Sequence, residues 1–420
     1  MLPEEFGVSI GDLFISPYRF VLLGLAPYVF WLFFQKSHSI NWNRCDALAV
    51  MLFIWPLIAL TVNSNIWVTM ESGGVFVLEM AVPYFLIRFH VNSYRSRKIF
   101  SKQMFFIVAV LFIVAIPETL TGRPFIHEFA SRLVGASYND EIIRRLGFWR
   151  AKGPTDHAII LGAICAITFA ITFTLALRER KYWWVVFFSV GGTLASLSSA
   201  PLLALLVQLA LLAWVTVLRP FRLKWLCLIL LLISTYLIID IISDRDPFRV
   251  LFSYLLLTPQ TGYTRYYMWL NSFSLIGQTN LGLIFGYGFD TSIYATLEPF
   301  WERLMIRTLD SYWLVIMLRY GIVMLILFAL FIIVTFSHYL RNRINITERK
   351  DHRLSEAWFI SIISKTLIAT TVHFWGSLAS IHIIFMAVCV GIQGNKKKKR
   401  QRSKISQIRL EPYKKLNEFA

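Results

Sequence analysis

Apolar runs recur along nearly the whole chain, and nothing else limits its fold so strongly. They are about 14–26 residues long, enough to cross a ~30 Å hydrocarbon core with some tilt or shortening. Eleven spans are predicted, near residues 15–34, 46–62, 74–89, 104–117, 157–177, 182–196, 201–218, 225–243, 311–336, 357–372 and 376–393. The fourth and sixth are short. The expected fold is an all-α polytopic membrane protein, residues 1–420 forming a single integral membrane domain. A composition of 57% hydrophobic and 16% charged residues excludes an ordinary soluble domain.

Lys and Arg residues then orient the spans. Segments 35–45, 88–103, 178–181, 219–224, 337–356 and 394–420 hold about 28 of the 42 basic residues. The alternating segments 63–73, 195–200 and 373–375 hold none. Two longer connections, 118–156 and 244–310, carry about six and about five, mixed with acids. The positive-inside rule therefore predicts an outside N-terminus, a cytoplasmic C-terminus and two large loops facing outward. The net charge of +18 is mostly this orientation signal, so nucleic-acid binding need not be invoked. The basic tail at 394–420, with KKKKRQRSK at 396–404, follows a span directly, and attraction to anionic lipid is its simpler account.

Several classes drop out. Cys165, Cys227 and Cys389 fall within spans and Cys45 at a cytoplasmic edge, so none is placed to bridge the outer loops. No Cys/His cluster has metal-ligand spacing, and no basic n-region with a small-residue cleavage site precedes the first span. There is no P-loop or Gly-x-Gly-x-x-Gly fingerprint, and Gly286-Tyr287-Gly288 is too short to signal a nucleotide. No cofactor is expected. Neither internal repeats nor inverted symmetry are visible, which counts modestly against a secondary transporter.

Attention therefore falls on the outer loops. Arg265 lies in TGYTRYYMWLNSFSLIGQTNLGLIFGYGFD (261–290), where an amphipathic helix is expected to show Tyr266, Leu270 and Phe273 on one face. Orientation depletes arginine on this side. A guanidinium fork there matches phosphate oxygens, although snorkelling or a loop ion pair would also account for it. A second basic cluster, Arg144, Arg145 and Arg150, lies in the other loop, where Asp140 and Glu141 could simply pair with it. That loop is expected to hold a short helix and to end at Gly153-Pro154, with Thr155 and Asp156 capping the next span.

Asp310, at the start of the ninth span, is either an N-cap or a general base. His157 and His373 lie at outer span ends, where each could move a proton or merely hydrogen-bond to a neighbour. Within the bilayer, Glu79 is expected to pair with Arg319 or Lys365, or these groups gate a proton path. Arg319 comes nine residues after Asp310, half a helical turn out of phase, so the two should not face one cavity. Trp149, Tyr263 and Trp269 add aromatic faces to the outer loops, although interfacial aromatics need no binding purpose.

Taken in order, four passages resemble the bacterial O-antigen polymerase and ligase superfamily, and within it the exopolysaccharide (Wzy-type) polymerases. RRLGFWRAKGPTDHAIILG (144–162) is similar to that family's Arg-rich outer loop, and TLASLSSAPLLAL (193–205) to its Ser-containing hairpin. TGYTRYYMWLNSFSLI with LGLIFGYGFD (261–276 and 281–290) resembles the large outer loop with its Arg and closing Gly-x-Gly. LDSYWLVIMLRYGIVML (309–325) resembles the polar start of the following span. The hairpin has Ser198-Ser199-Ala200-Pro201 where the family often has Ser-Arg. Asp310 stands near the place where the ligases use a His, which favours polymerase over ligase.

The resemblance implies a GT-C-like bundle in the bacterial inner membrane. It implies metal-independent transfer from an undecaprenyl-pyrophosphate-linked oligosaccharide, building O-antigen or exopolysaccharide at the outer face. Membrane lipid, a chain-length regulator and a flippase would be its partners. Asp310 and His157 would serve catalysis, and Arg265, Arg150, Arg145, Gly286, Gly288 and Arg319 would bind substrate. An O-antigen-type ligase and a transporter or flippase of the same glycan are the alternatives.

Overall fold

The computed structural model describes residues 3–10, 13–36, 40–135, 143–221, 223–243, 246, 247, 249, 250, 259–289, 309–344, 346, 348–374 and 376–392. Among these, eight helices are long and apolar enough to cross a membrane. They are α1 (Pro17–Lys36), α2 (Arg44–Asn63), α3 (Ile66–His90), α4 (Tyr94–Thr121), α6 (Ala158–Ala176), α8 (Ser199–Val217), α9 (Lys224–Ile242) and α12 (Tyr312–Arg343). Three more take the remaining predicted places. α7 (Trp183–Ala195) and α14 (Leu378–Val390) have 13 residues each, while α13 (Arg349–Thr371) has 23 but begins with a charged stretch. The protein is thus a largely helical, multi-spanning membrane protein.

The shorter elements gather around the helix ends. A hairpin of β1 (Val8–Ile10) and β2 (Leu13–Ile15) leads into α1. The loop before α6 holds α5 (Phe125–Val134), β3 (Arg144–Arg145) and β4 (Phe148–Trp149). The loop before α12 holds α10 (Pro259–Ile276) and α11 (Asn280–Phe285).

Helix α6 is the centre, packed against α7, α8 and α13, and 83% of its apolar window is buried. Its small residues, Ala158, Gly162, Ala163, Ala166 and Ala170, allow the close approach on which helix association in lipid depends. At the other extreme, only 6% of the α9 window is buried, and Leu226, Ile229, Leu230 and Ile233 lie on its exposed surface. Charged pairs help tie the bundle together. Arg88 holds Asp46 through Nε (2.7 Å) and Nη2 (2.8 Å), and Arg97 pairs with Asp351.

Several expectations change. Glu79 pairs with Arg19 (2.7 Å) and accepts from the Tyr18 hydroxyl, not from Arg319 or Lys365. Where the loop was expected to hold a short helix, its described residues 144–149 form a two-strand hairpin, whose turn residues Leu146 (φ 54°) and Gly147 (φ 84°) both take positive φ. Helix α4 continues through Thr121, so Glu118, taken as the start of the loop, belongs to the helix. Its carboxylate accepts the Lys152 (3.1 Å) and Gly153 (2.7 Å) amides, fixing the end of that loop.

Helix α12 is broken at Gly321 (φ 83°, ψ 174°). A break inside a membrane helix frees carbonyls, and protein groups must satisfy them. Here Tyr287 N–H donates to Leu318 O (2.7 Å), Gly288 N–H to Arg319 O (3.0 Å) and Trp55 Nε1 to Tyr320 O (2.7 Å). Segment 285–288 is thereby docked into the break, and Asn63 Nδ2 secures it from the other side through Phe285 O and Gly286 O.

Candidate functional site

The site forms where three separated stretches meet at one end of the bundle. The hairpin 143–151 supplies Arg145 and Arg150. The turn between α7 and α8 supplies Ser196, Leu197 and Ser198. Arg265, on α10, faces Asp310 at the entry to α12.

The turn comes first. Arg145 Nη1 donates to Leu197 O (3.0 Å). Arg150 donates through Nε to Ser196 O (3.3 Å) and through Nη2 to Ser198 Oγ (2.9 Å). Ala151 N–H to Ala195 O (3.0 Å) closes the join. Two arginines therefore clamp one short turn, in which Leu197 takes φ 43°. Burial first, and then the neighbouring Arg145 charge, push the Arg150 guanidinium down to about 10. It still carries its charge at neutral pH.

Arg265 is placed differently. Helix α10 buries Arg265, Met268, Ser272, Leu275 and Ile276 on one face and exposes Leu270 and Phe273 on another. The buried face packs on Leu314, Met317 and Leu318 of α12. Arg265 is only 8% exposed, and its Nη2 lies 3.8 Å from Asp310 Oδ2, beyond hydrogen-bond distance. Its Nε and Nη1 are buried and have no hydrogen-bond partner among the described residues. Buried donors are nearly always satisfied, so two guanidinium nitrogens, bearing three N–H groups with no partner among the described residues, call for an acceptor. Burial lowers the Arg265 pKa, the Arg145 charge lowers it further, and Asp310 opposes both. Burial raises the Asp310 pKa, against the pull of Arg265.

Chemically, this is a buried cation with unused donors, a second arginine close enough to be felt, and a half-buried carboxylate. Such a set can take a doubly charged oxyanion on the arginines while the carboxylate accepts a proton.

The remaining candidates have other surroundings. Asp310 is not the N-cap of α12; Ser311 occupies that place. His157, rather than Thr155 or Asp156, caps α6, its Nδ1 accepting the Ile159 N–H (3.1 Å). Thr155 Oγ1 instead donates to Lys152 O (2.7 Å), and its carbonyl faces His127 Nε2 (3.1 Å). Arg319 stands 4.5 Å over the Phe289 ring, whereas Asp310 meets Arg265. Burial and the Arg319 charge hold His373 down to about 3, so its imidazole is neutral.

Gly286 and Gly288 are both accounted for by the docking at the break. Gly286 has φ 76°, and a Cβ there would lie 2.5 Å from Arg319 C and 2.6 Å from Gly321 N. Trp149 carries Arg144 over its ring (3.9 Å) and packs against Gly122. Trp269 tilts against Phe273 (6.0 Å). Asp140 and Glu141 lie outside the described residues, as does the side chain of Tyr263. Ser198 was missed in the sequence as a site residue. Its hydroxyl shows its place only once the hairpin has folded over the turn.

The fold and this site define a polytopic membrane protein with a buried cation–carboxylate centre beneath its loops. Compared with models of protein families, with curated proteins and with solved structures, the chain matches none.

Proposed function

We propose that the protein is a membrane glycosyltransferase that polymerises undecaprenyl-pyrophosphate-linked oligosaccharide repeat units into surface polysaccharide. In this reading it has eleven spans in a GT-C-like arrangement in the bacterial inner membrane, with the site on the outer side. The reading rests on the order of sequence passages resembling the polymerase superfamily. The single structural observation that carries it is Arg265, whose buried Nε and Nη1 have no acceptor among the described residues, beside Asp310.

The proposed step is a direct displacement. A hydroxyl of the acceptor glycan attacks the anomeric carbon of the donor sugar from the face opposite the pyrophosphate. As the new C–O bond forms, the bond to the pyrophosphate oxygen breaks, and the electron pair leaves with the pyrophosphate. Inversion follows. The hydroxyl proton passes to Asp310, and the unused donors of Arg265 stabilise the charge developing on the leaving group. Arg145 adds field to that end. Arg150, with donors already engaged on Ser196 and Ser198, shapes the turn beside the anion. His157 would enter only through Nε2, since the cap occupies Nδ1. Gly286, Gly288 and the Arg319 carbonyl hold the break in α12, and their effect on substrate is indirect.

The test uses purified protein in lipid bilayers, a synthetic pyrophosphate-linked repeat unit and no nucleotide. A ladder of products is expected, and Arg265→Ala is expected to abolish it. A single product formed only with a separate acceptor would make the protein a ligase. Loss of polymer in Arg319→Ala with full activity in Arg265→Ala would overturn the site.

A further inference from the structure

At the end of the bundle opposite Arg265, where α6 and α8 finish, lies a cavity of about 430 Å³. Its two walls differ in character. Phe173, Leu212 and Val215 make an apolar side between membrane-crossing helices, with Ile360 of α13 behind them. Arg219, Arg349 and Arg353 make the other side, together with Lys224 and His352.

Among the described residues Glu356 is the one acid lining the cavity, and it is already engaged: Lys224 Nζ lies at 2.6 Å, with Arg343 Nη1 and His352 Nδ1 both at 3.9 Å. Arg219, Arg349 and Arg353 form no ion pair with a carboxylate among the described residues. Arg219, Arg349 and Arg178 all bear on Arg353; after burial, their charges push its guanidinium down, and only Glu356 opposes them. Like charges held together next to an apolar cleft need an anion that brings its own apolar part.

We infer that this cavity is a binding site for an anionic glycerophospholipid, its phosphate on Arg219, Arg349 and Arg353 and one acyl chain along Phe173, Leu212 and Val215. The two walls are the amphipathic complement of such a lipid, and the head-group end lies at helix termini, where lipid phosphates sit. The chain's own 394–420 tail is strongly basic and would be repelled. The inference stands independently of the proposed glycosyl transfer.

Native mass spectrometry of the full chain, titrated with dioleoylphosphatidylglycerol or dioleoylphosphatidylcholine, tests it. The first tightly held lipid is expected to be phosphatidylglycerol, at least tenfold preferred. Arg353→Gln and Arg219→Gln should each weaken it about fivefold. Thr216→Trp, which fills the cleft and keeps every charge, should weaken it as well, and it decides the matter if the arginine variants misfold. A variant with Lys396, Lys397, Lys398 and Lys399 all changed to Gln should leave it unchanged. Equal binding of the two lipids, or indifference to both the arginine and Thr216 variants, would overturn the inference. So would glycerol phosphate binding as tightly as the lipid, which would mark a soluble-phosphate site.

Discussion

Arg265 and Asp310 stand 45 residues apart in sequence and 3.8 Å apart in space. Under the proposed transfer, losing the Arg265 guanidinium removes charge stabilisation from the leaving group, so Arg265→Ala should lower the polymerisation rate about 10²–10³-fold. Arg265→Lys should recover little of it, because an ammonium cannot present two parallel donors. Asp310→Asn should cost about 10²–10⁴-fold. The pH profile follows from the direction of the Asp310 shift. A raised pKa keeps the carboxyl protonated to higher pH, and the base is its ionised form. The rate should therefore climb with pH through a limb lying above the ordinary carboxylate value of about 3.9, measured as initial rate between pH 4 and 8. Arg265 was legible in the sequence because the expected orientation thins out arginine on its side of the membrane. Its pairing with Asp310 was not, since charge patterning says nothing about which loop folds over which. The role of Ser198 was hidden for the same reason, as a lone serine in a turn carries no signal until Arg150 reaches it.

Among elements, the broken helix matters most. The ninth apolar run reads as one continuous span, and a single glycine within it gives no warning of a break. Only the meeting of Gly321 with segment 285–288 makes the interruption visible. A Cβ at Gly321 would lie 1.9 Å from Ile284 O. Gly321→Ala should therefore undock that segment and add about 1–3 kcal/mol of backbone strain, lowering the thermal midpoint in detergent. Gly24→Ala makes the matching control. It has open space around it in a helix, and its midpoint should hold or rise slightly. Helix α10 shows another limit of pattern reading. The Leu270–Phe273 surface follows from helical spacing, but the opposite face carries Arg265 against α12, and the aromatic content obscured it. The hairpin at 144–149 is hard to read from sequence because Arg144, Arg145 and Leu146 are good helix formers. The positive φ at Leu146 and Gly147 overrides that preference.

For the whole molecule, the repeated apolar runs carried nearly all of the architecture, since lipid leaves a chain few ways to satisfy its backbone. Sidedness is the prediction that belongs at this scale. Ser274, exposed on α10, and Lys350, exposed at the start of α13, lie on opposite sides of the proposed topology. With Cys227 changed to Ala, an impermeant maleimide should label Ser274→Cys in intact spheroplasts. Lys350→Cys should react only after permeabilisation, because Cys45, Cys165 and Cys389 are buried and supply no background. The arrangement of helices also bears on how the chain is made. The central α6 is covered in part by α13, and α3 by α14, so both early helices have seats that the last-synthesised segments fill. A ribosome stalled after residue 348 would present a nascent chain already inserted in the bilayer but still open along two seams. The bundle can close along these seams only after α13 and α14 have joined helices already in the bilayer.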